Sequence, residues 1–204
     1  MKTNSPTQLK AHHYPLLLVF TLSGIAALIY QICWQRLLFT AFGVDIESIT
    51  IIISVFMLGL GLGALAGGRL ADKYPHKIIL FFSLFEFLIG IFGFSSPYLI
   101  DKTSNLFFSS SIHVIGFVIF LLLLLPTSLM GATLPMLTYH LNLNYNNVGT
   151  SIGRLYFANT IGAAIGSLAT GFILFRSFTL IECIYIAALL NITVAFIALI
   201  GIKK

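Results

Sequence analysis

The side chain whose type and position carry the most chemistry is Glu86. It lies nine residues past Lys77, so about 13 Å into a long apolar run if that run is helical. An ionisable group at such a depth is costly and by default marks function. It could bind a cation or carry a proton; the plainer alternative is a protonated carboxyl hydrogen-bonded to a neighbouring helix. Asn159 and Thr160 lie roughly 8 Å in from Arg154, and Thr133 lies at a similar depth counted from His140. If the segments that carry them adjoin, Glu86, Thr133 and Asn159 form one polar cluster. If they do not, each makes a separate helix-to-helix hydrogen bond, worth about 0.6 kcal/mol on average. Gln31 and Gln35 are four apart and share a helix face. Gln31 completes the candidate substrate-binding set of Glu86, Asn159, Thr133 and Gln31.

Other chemistries find no support. There is no nucleophile–base pair, no metal-ligand spacing and no phosphate loop, and the five histidines are dispersed. Cys33 and Cys183 both lie in apolar stretches with no CxxC between them, so they read as small buried hydrophobes. Gly61-Leu-Gly63-Ala-Leu-Ala66 mimics a dinucleotide fingerprint, with Glu86 twenty residues on. The fingerprint needs a preceding strand and an exposed helix start, and this stretch is in the middle of an apolar run. No cofactor and no metal are expected.

The elements that must position these residues follow from composition. Hydrophobic residues make up 58% of the 204-residue chain and charged residues 8%. A soluble domain carries roughly a quarter charged residues, so the solvent that fits this surface is lipid. A bilayer core about 30 Å thick takes roughly 20 apolar residues per helix. Six runs meet that length: Pro15 to Leu38, Ile46 to Leu70, Lys77 to Ile100, Ser111 to His140, Gly149 to Phe175 and Phe178 to Ile202. Membrane strands are about 10 residues long and alternate in polarity, which excludes a barrel. The expected organisation is a tail over 1–14, one transmembrane domain over 15–202 and a short end at 203–204. The first run is longer than a signal-peptide core and lacks an A-x-A site, so it reads as a retained helix.

Lys and Arg set the expected orientation. With the N-terminus inside, Lys2, Lys10, Arg69, Lys73, Lys77, Arg154, Lys203 and Lys204 are cytoplasmic, against Arg36, Lys102 and Arg176 outside. Asp45, Glu47, Asp101 and Glu182 also fall outside. Both termini are therefore expected in the cytoplasm, and the net charge of +5 is a matter of topology rather than of nucleic-acid binding. Trp34 and Tyr98 are expected at the outer interface, and Tyr14, Tyr74 and Tyr139 at the inner one. The Asp101–Ser111 and Asn142–Asn147 loops have no room for a domain.

Glycines mark the helix contacts. Gly59, Gly63 and Gly67 are spaced by four and form one smooth stripe, and Gly162 and Gly166, with Gly149 and Gly153, repeat the theme in the fifth run. Such stripes let helices approach closely; a sharper alternative is that these two helices slide past each other in a conformational cycle. Pro126 and Pro135 are expected to kink the fourth helix and free carbonyls near it.

The loop Gly68-Arg-Leu-Ala-Asp72-Lys-Tyr-Pro-His-Lys77 resembles the signature of the major facilitator superfamily at the same place, with Pro75 where the second glycine usually stands. Its physical logic is a short cytoplasmic turn whose Asp72 caps a helix start or pairs with a cation. Gly68, Asp72, Lys73 and Arg154 form the candidate conformational set. Four stretches together resemble the membrane half of bacterial fused major-facilitator/spermidine-synthase proteins. They are Ser23-Gly24 to Arg36, Gly59 to Asp72, Pro126-Thr127 through Met130-Gly-Ala-Thr-Leu-Pro135, and Gly153-Arg154-Leu-Tyr156 through Asn159-Thr-Ile-Gly162 to Phe172.

This resemblance implies a six-helix, all-α half of a facilitator fold in the bacterial inner membrane. In that family a soluble aminopropyltransferase-like domain commonly follows, whereas this sequence stops at Lys204, so no enzymatic activity is expected of it. Three functions stay open. One is a half-size transporter for polyamines or another small organic cation, working as a homodimer because substrate sits between two six-helix halves. A second is a membrane partner of a separate aminopropyltransferase-like protein. The third is a structural subunit of a membrane complex.

Overall fold

Backbone polar groups in a bilayer must be satisfied within their own segment, and the long apolar runs comply by coiling. The computed structural model describes residues 14–43, 45–107, 111–145 and 147–202, all of them helix or short turn with no strand among them. The helices are α1 (Tyr14–Phe42), α2 (Asp45–Lys73), α3 (Ile78–Leu106), α4 (Ile112–Tyr145), α5 (Val148–Ala169) and α6 (Leu180–Gly201). A 3₁₀ turn, Pro75–Lys77, joins α2 to α3, and α5 runs on through a π-helical stretch, Thr170–Leu174, to Ser177. Six helices are long and apolar enough to cross a membrane, and the chain is a multi-pass helical membrane protein. Of the expected tail, residues 1–13 lie outside the described residues, as do 203–204.

Helices α1 to α4 continue past the C-terminal ends of their apolar runs, whereas α6 begins and ends inside its own. The Asp101–Ser111 loop is accordingly shorter than expected: α3 continues to Leu106, with Asn105 donating to Asp101 over 3.1 Å. Asn147 begins α5, its side chain accepting from the Thr150 amide at 3.0 Å. Thr179 and Glu182 cap α6 reciprocally. Between α1 and α2, Gly43 has φ +70° and its amide closes on the Phe39 carbonyl at 2.8 Å, an αL termination that favours glycine. No atom lies within 4 Å of a Cβ there. Gly43→Ala is therefore expected to act through backbone strain alone and to cost about 1–2 kcal/mol, read from reversible unfolding in bicelles.

The helices associate in three main pairs. The stripe of α2 lies on α4: a Cβ at Gly59 would fall on Thr127, at Gly63 on Ser128, and at Gly67 on Ala132. The stripe of α5 lies on α1: Gly162 faces Thr21 and Gly166 faces Ile25. The stripes of α2 and α5 thus serve different partners, and they are not the two surfaces of one sliding contact. The third pair is α3 with α6, where Gly90 meets Ala188 and Ile192. The pairs α1·α5 and α2·α4 are parallel and α3·α6 is antiparallel, as a chain that reverses at every turn requires. The α1·α6 contact is matched by α3·α4, and α1·α2 by α4·α5. Exchanging the first three helices for the last three maps each of these contacts onto another or onto itself, whereas the α1·α3 contact finds no counterpart of like extent between α4 and α6. A three-helix unit repeated after an odd number of crossings is necessarily inverted.

Trp34 points into the bundle rather than away from it. It is fully buried, stacked on Tyr30 with ring centroids 4.8 Å apart, with Phe92 edge-on at 5.8 Å and Phe56 at 6.2 Å. Its indole N–H donates to Ser96 Oγ over 2.9 Å, so the polar edge that draws tryptophan to headgroups is satisfied inside. Tyr14, Tyr74 and Tyr98 remain exposed.

Candidate functional site

The buried face of α3 carries Ser83, Glu86, Gly90, Gly93 and Ser96, at spacings of three and four that keep one side of a helix in register. This face meets α1 and α6. The two small glycines let α1 and α6 come close, and the three polar groups are thereby shut inside. Glu86 is 0% exposed. Ser23 of α1 donates its hydroxyl to Glu86 Oε1 over 2.6 Å, and the Asn191 amide of α6 donates to Oε2. Both partners are neutral, so the carboxyl is held by hydrogen bonds, not by a salt bridge. Ser83 Oγ, Tyr30 Oη and Asn191 Oδ1 are buried with no hydrogen-bond partner among the described residues. Buried polar atoms of this kind are uncommon and call for an explanation.

The seam continues along α1 and α3 in parallel register. Tyr30 sits over Gly93, where a Cβ would collide with its phenol oxygen, and Trp34 reaches Ser96 one turn on. Pro97 leaves the Gly93 carbonyl without its helical N–H, and Ser96 Oγ donates to that carbonyl over 2.9 Å. One serine thus repairs the helix and accepts from the indole.

The expected cluster of Glu86, Thr133 and Asn159 is not formed. Thr133 Oγ1 donates to the Met130 carbonyl within its own helix over 2.7 Å, and Asn159 Nδ2 donates to the Phe20 carbonyl of α1 at 3.3 Å. Depth in the membrane gives a residue its level and leaves its azimuth open. Glu86 turns toward α1 and α6, whereas Asn159 packs against Gly24 on another side of α1. Gln31 is half-buried on α1. Ser23 and Asn191 were missed as partners. Asn191, a carboxamide in the middle of the most apolar run, was the available signal.

In the loop set, Asp72 and Lys73 are exposed in the last turn of α2, with Lys73 Nζ 5.4 Å from the Tyr74 ring centroid. Neither the 3₁₀ turn nor α3 starts with a side-chain cap, so Asp72 does not cap a helix. Gly68 is open to its surroundings, with nothing within 4 Å of a Cβ. Arg154 is exposed near the start of α5. Pro126 and Pro135 lie inside an unbroken α4. Beside Pro126, Thr127 Oγ1 donates to Leu123 at 2.9 Å and lies 3.3 Å from the Val55 carbonyl of α2.

A polyamine aminopropyltransferase of Oceanobacillus iheyensis is 26% identical to this chain over 177 residues, which is 86% of this chain and 33% of that protein. The chain thus spans about a third of the length of that relative. No family model and no solved structure matches.

Proposed function

We propose that this chain is the membrane module of a polyamine aminopropyl-transfer system, set in the bacterial inner membrane with both termini in the cytoplasm. The observation that carries this reading is the relative itself: a protein named for aminopropyl transfer aligns over 177 residues with this chain, whose described residues hold six helices long and apolar enough to cross a membrane. The aligned stretch accounts for a third of that protein, and aminopropyl transfer needs groups that bind a sulfonium donor and an amine, for which the bundle offers no open cluster among its described residues. The catalytic unit is therefore a partner, continuous with this chain or separate. It sits on the cytoplasmic face, where Arg69, Lys73 and Lys77 are exposed. Gentle purification of the tagged protein from its native membrane, with aminopropyl transfer assayed in the eluate, tests this. A stoichiometric, active transferase is expected. A homodimer without activity would sink the proposal.

A second reading, a half-size facilitator-like transporter of polyamines or another organic cation, is favoured by one observation. Apart from α1·α3, the main helix pairs are preserved when the two three-helix units are exchanged, as in transporters built from inverted repeats. Two copies would then enclose the substrate. Glu86 would act from inside each half, because its carboxyl is walled in by α1, α3 and α6 and does not face a space between halves. Uptake of radiolabelled spermidine by proteoliposomes holding this chain alone is the measurement that would bring this reading forward.

A further inference from the structure

A fully buried carboxyl whose partners are a hydroxyl and a carboxamide differs from one held by a cation. A lysine or arginine partner fixes the charged state; a serine hydroxyl serves both states, because it donates and accepts. With Glu86 ionised, Ser23 donates to Oε1 as observed. With a proton on Oε1, the carboxyl donates to Ser23 Oγ, and the serine O–H turns to the carbonyl of its own preceding turn, an alternative open to any helical serine. Asn191 keeps its bond to Oε2 in both states. The exchange needs one hydroxyl rotation and no movement of a helix.

Among the described residues, the two hydrogen-bond partners of Glu86 are both neutral. From α1 the titratable group facing Glu86 is Tyr30, a buried phenol, and from α6 the facing polar group is Asn191. Leu134 and Leu137 of α4 and Leu155 of α5 share one apolar cluster with Phe82 of α3, and Tyr139 shares another with Ile78 and Phe81. The three orphaned oxygens of Ser83, Tyr30 and Asn191 are places where water is held in proteins, each such water making about three hydrogen bonds. All three groups are buried: Glu86 is 0%, Asn191 2% and Ser23 8% exposed.

We propose that Glu86, Ser23 and Asn191 form a proton-binding site inside the six-helix bundle. The ligand is a proton delivered by hydronium: the O–H bond forms on Glu86 Oε1 and a water molecule is left. The site stands apart from any docked transferase and belongs to the membrane domain itself.

Infrared difference spectroscopy of the full chain in lipid vesicles, stepped in pH, reads the carboxyl directly. A protonated-carboxyl C=O band is expected to grow reversibly as pH falls, to be lost in Glu86→Gln, and to change frequency in Ser23→Ala, which removes the hydrogen-bond partner and keeps the carboxyl. A band present and constant at every pH at which the protein stays folded would show a permanently protonated structural group and overturn the proposal. So would a difference spectrum left unchanged by Glu86→Gln, which would assign all the titrating C=O intensity to Asp45, Glu47, Asp72, Asp101 and Glu182. If the glutamine variant does not fold, the Ser23→Ala spectrum decides: a titrating band at unchanged frequency overturns the assignment.

Discussion

Leucine at Gly63 or at Gly162 is expected to prevent the bundle from assembling, while leucine at Gly61 or Gly153 is tolerated. A Cβ at Gly63 would fall on the Ser128 carbonyl, and one at Gly162 on the Thr21 carbonyl. Both obstacles are backbone, which cannot rotate away as a side chain does, so the whole helix must retreat. Even alanine is expected to cost about 1–3 kcal/mol at either site, the usual penalty for overpacking. A leucine adds three further carbons to a gap that has no room for one. Separation of the helices also forfeits the dispersion contacts that replace the hydrophobic drive in lipid. At Gly61 and Gly153 nothing lies within 4 Å of the added atom, and alanine there removes the backbone entropy that glycine carries, worth up to about 1 kcal/mol in a helix. Thermal half-life of the folded monomer in mild detergent separates the two classes. Equal losses at Gly61 and Gly63 would contradict the packing of α2 on α4.

Trp34→Ala is expected to cost about 3–5 kcal/mol, the range for removing a large buried aromatic. The indole is fully buried among Tyr30, Phe56 and Phe92, so α1, α2 and α3 all lose contacts at once. Trp34→Phe keeps most of the stacking and removes only the donor to Ser96. Its expected cost is about 1 kcal/mol, the net worth of one hydrogen bond, because Ser96 still donates to the Gly93 carbonyl. Steric-trap unfolding in bicelles measures both. If the alanine variant were as stable as the parent, Trp34 would have to face lipid, as its sequence position near the end of an apolar run first suggests.

The two cases show how differently the sequence speaks about helices and about their neighbours. Six spans, their rough limits and the importance of Gly59, Gly63 and Gly67 follow from length, hydropathy and a four-residue spacing, all of them local and one-dimensional. Glu86 stood out for the same reason: a carboxyl in lipid is costly wherever the helix goes. Its partners were a different matter. Ser23 and Asn191 lie 63 positions before it and 105 after it, and no spacing along the chain links them.

The sequence by itself determined that this is a membrane domain, because apolar runs of such length have no other solvent. It also determined which helix faces are smooth and which residue is anomalous. Only the tertiary structure decided that the stripes of α2 and α5 take α4 and α1 as their partners, that Trp34 points inward, and that Glu86 is closed in by neutral groups away from Thr133 and Asn159. The physical reason is that hydropathy fixes how deep each residue sits, while the rotation of each helix about its axis, which selects its neighbours, is set by the packing of all six together.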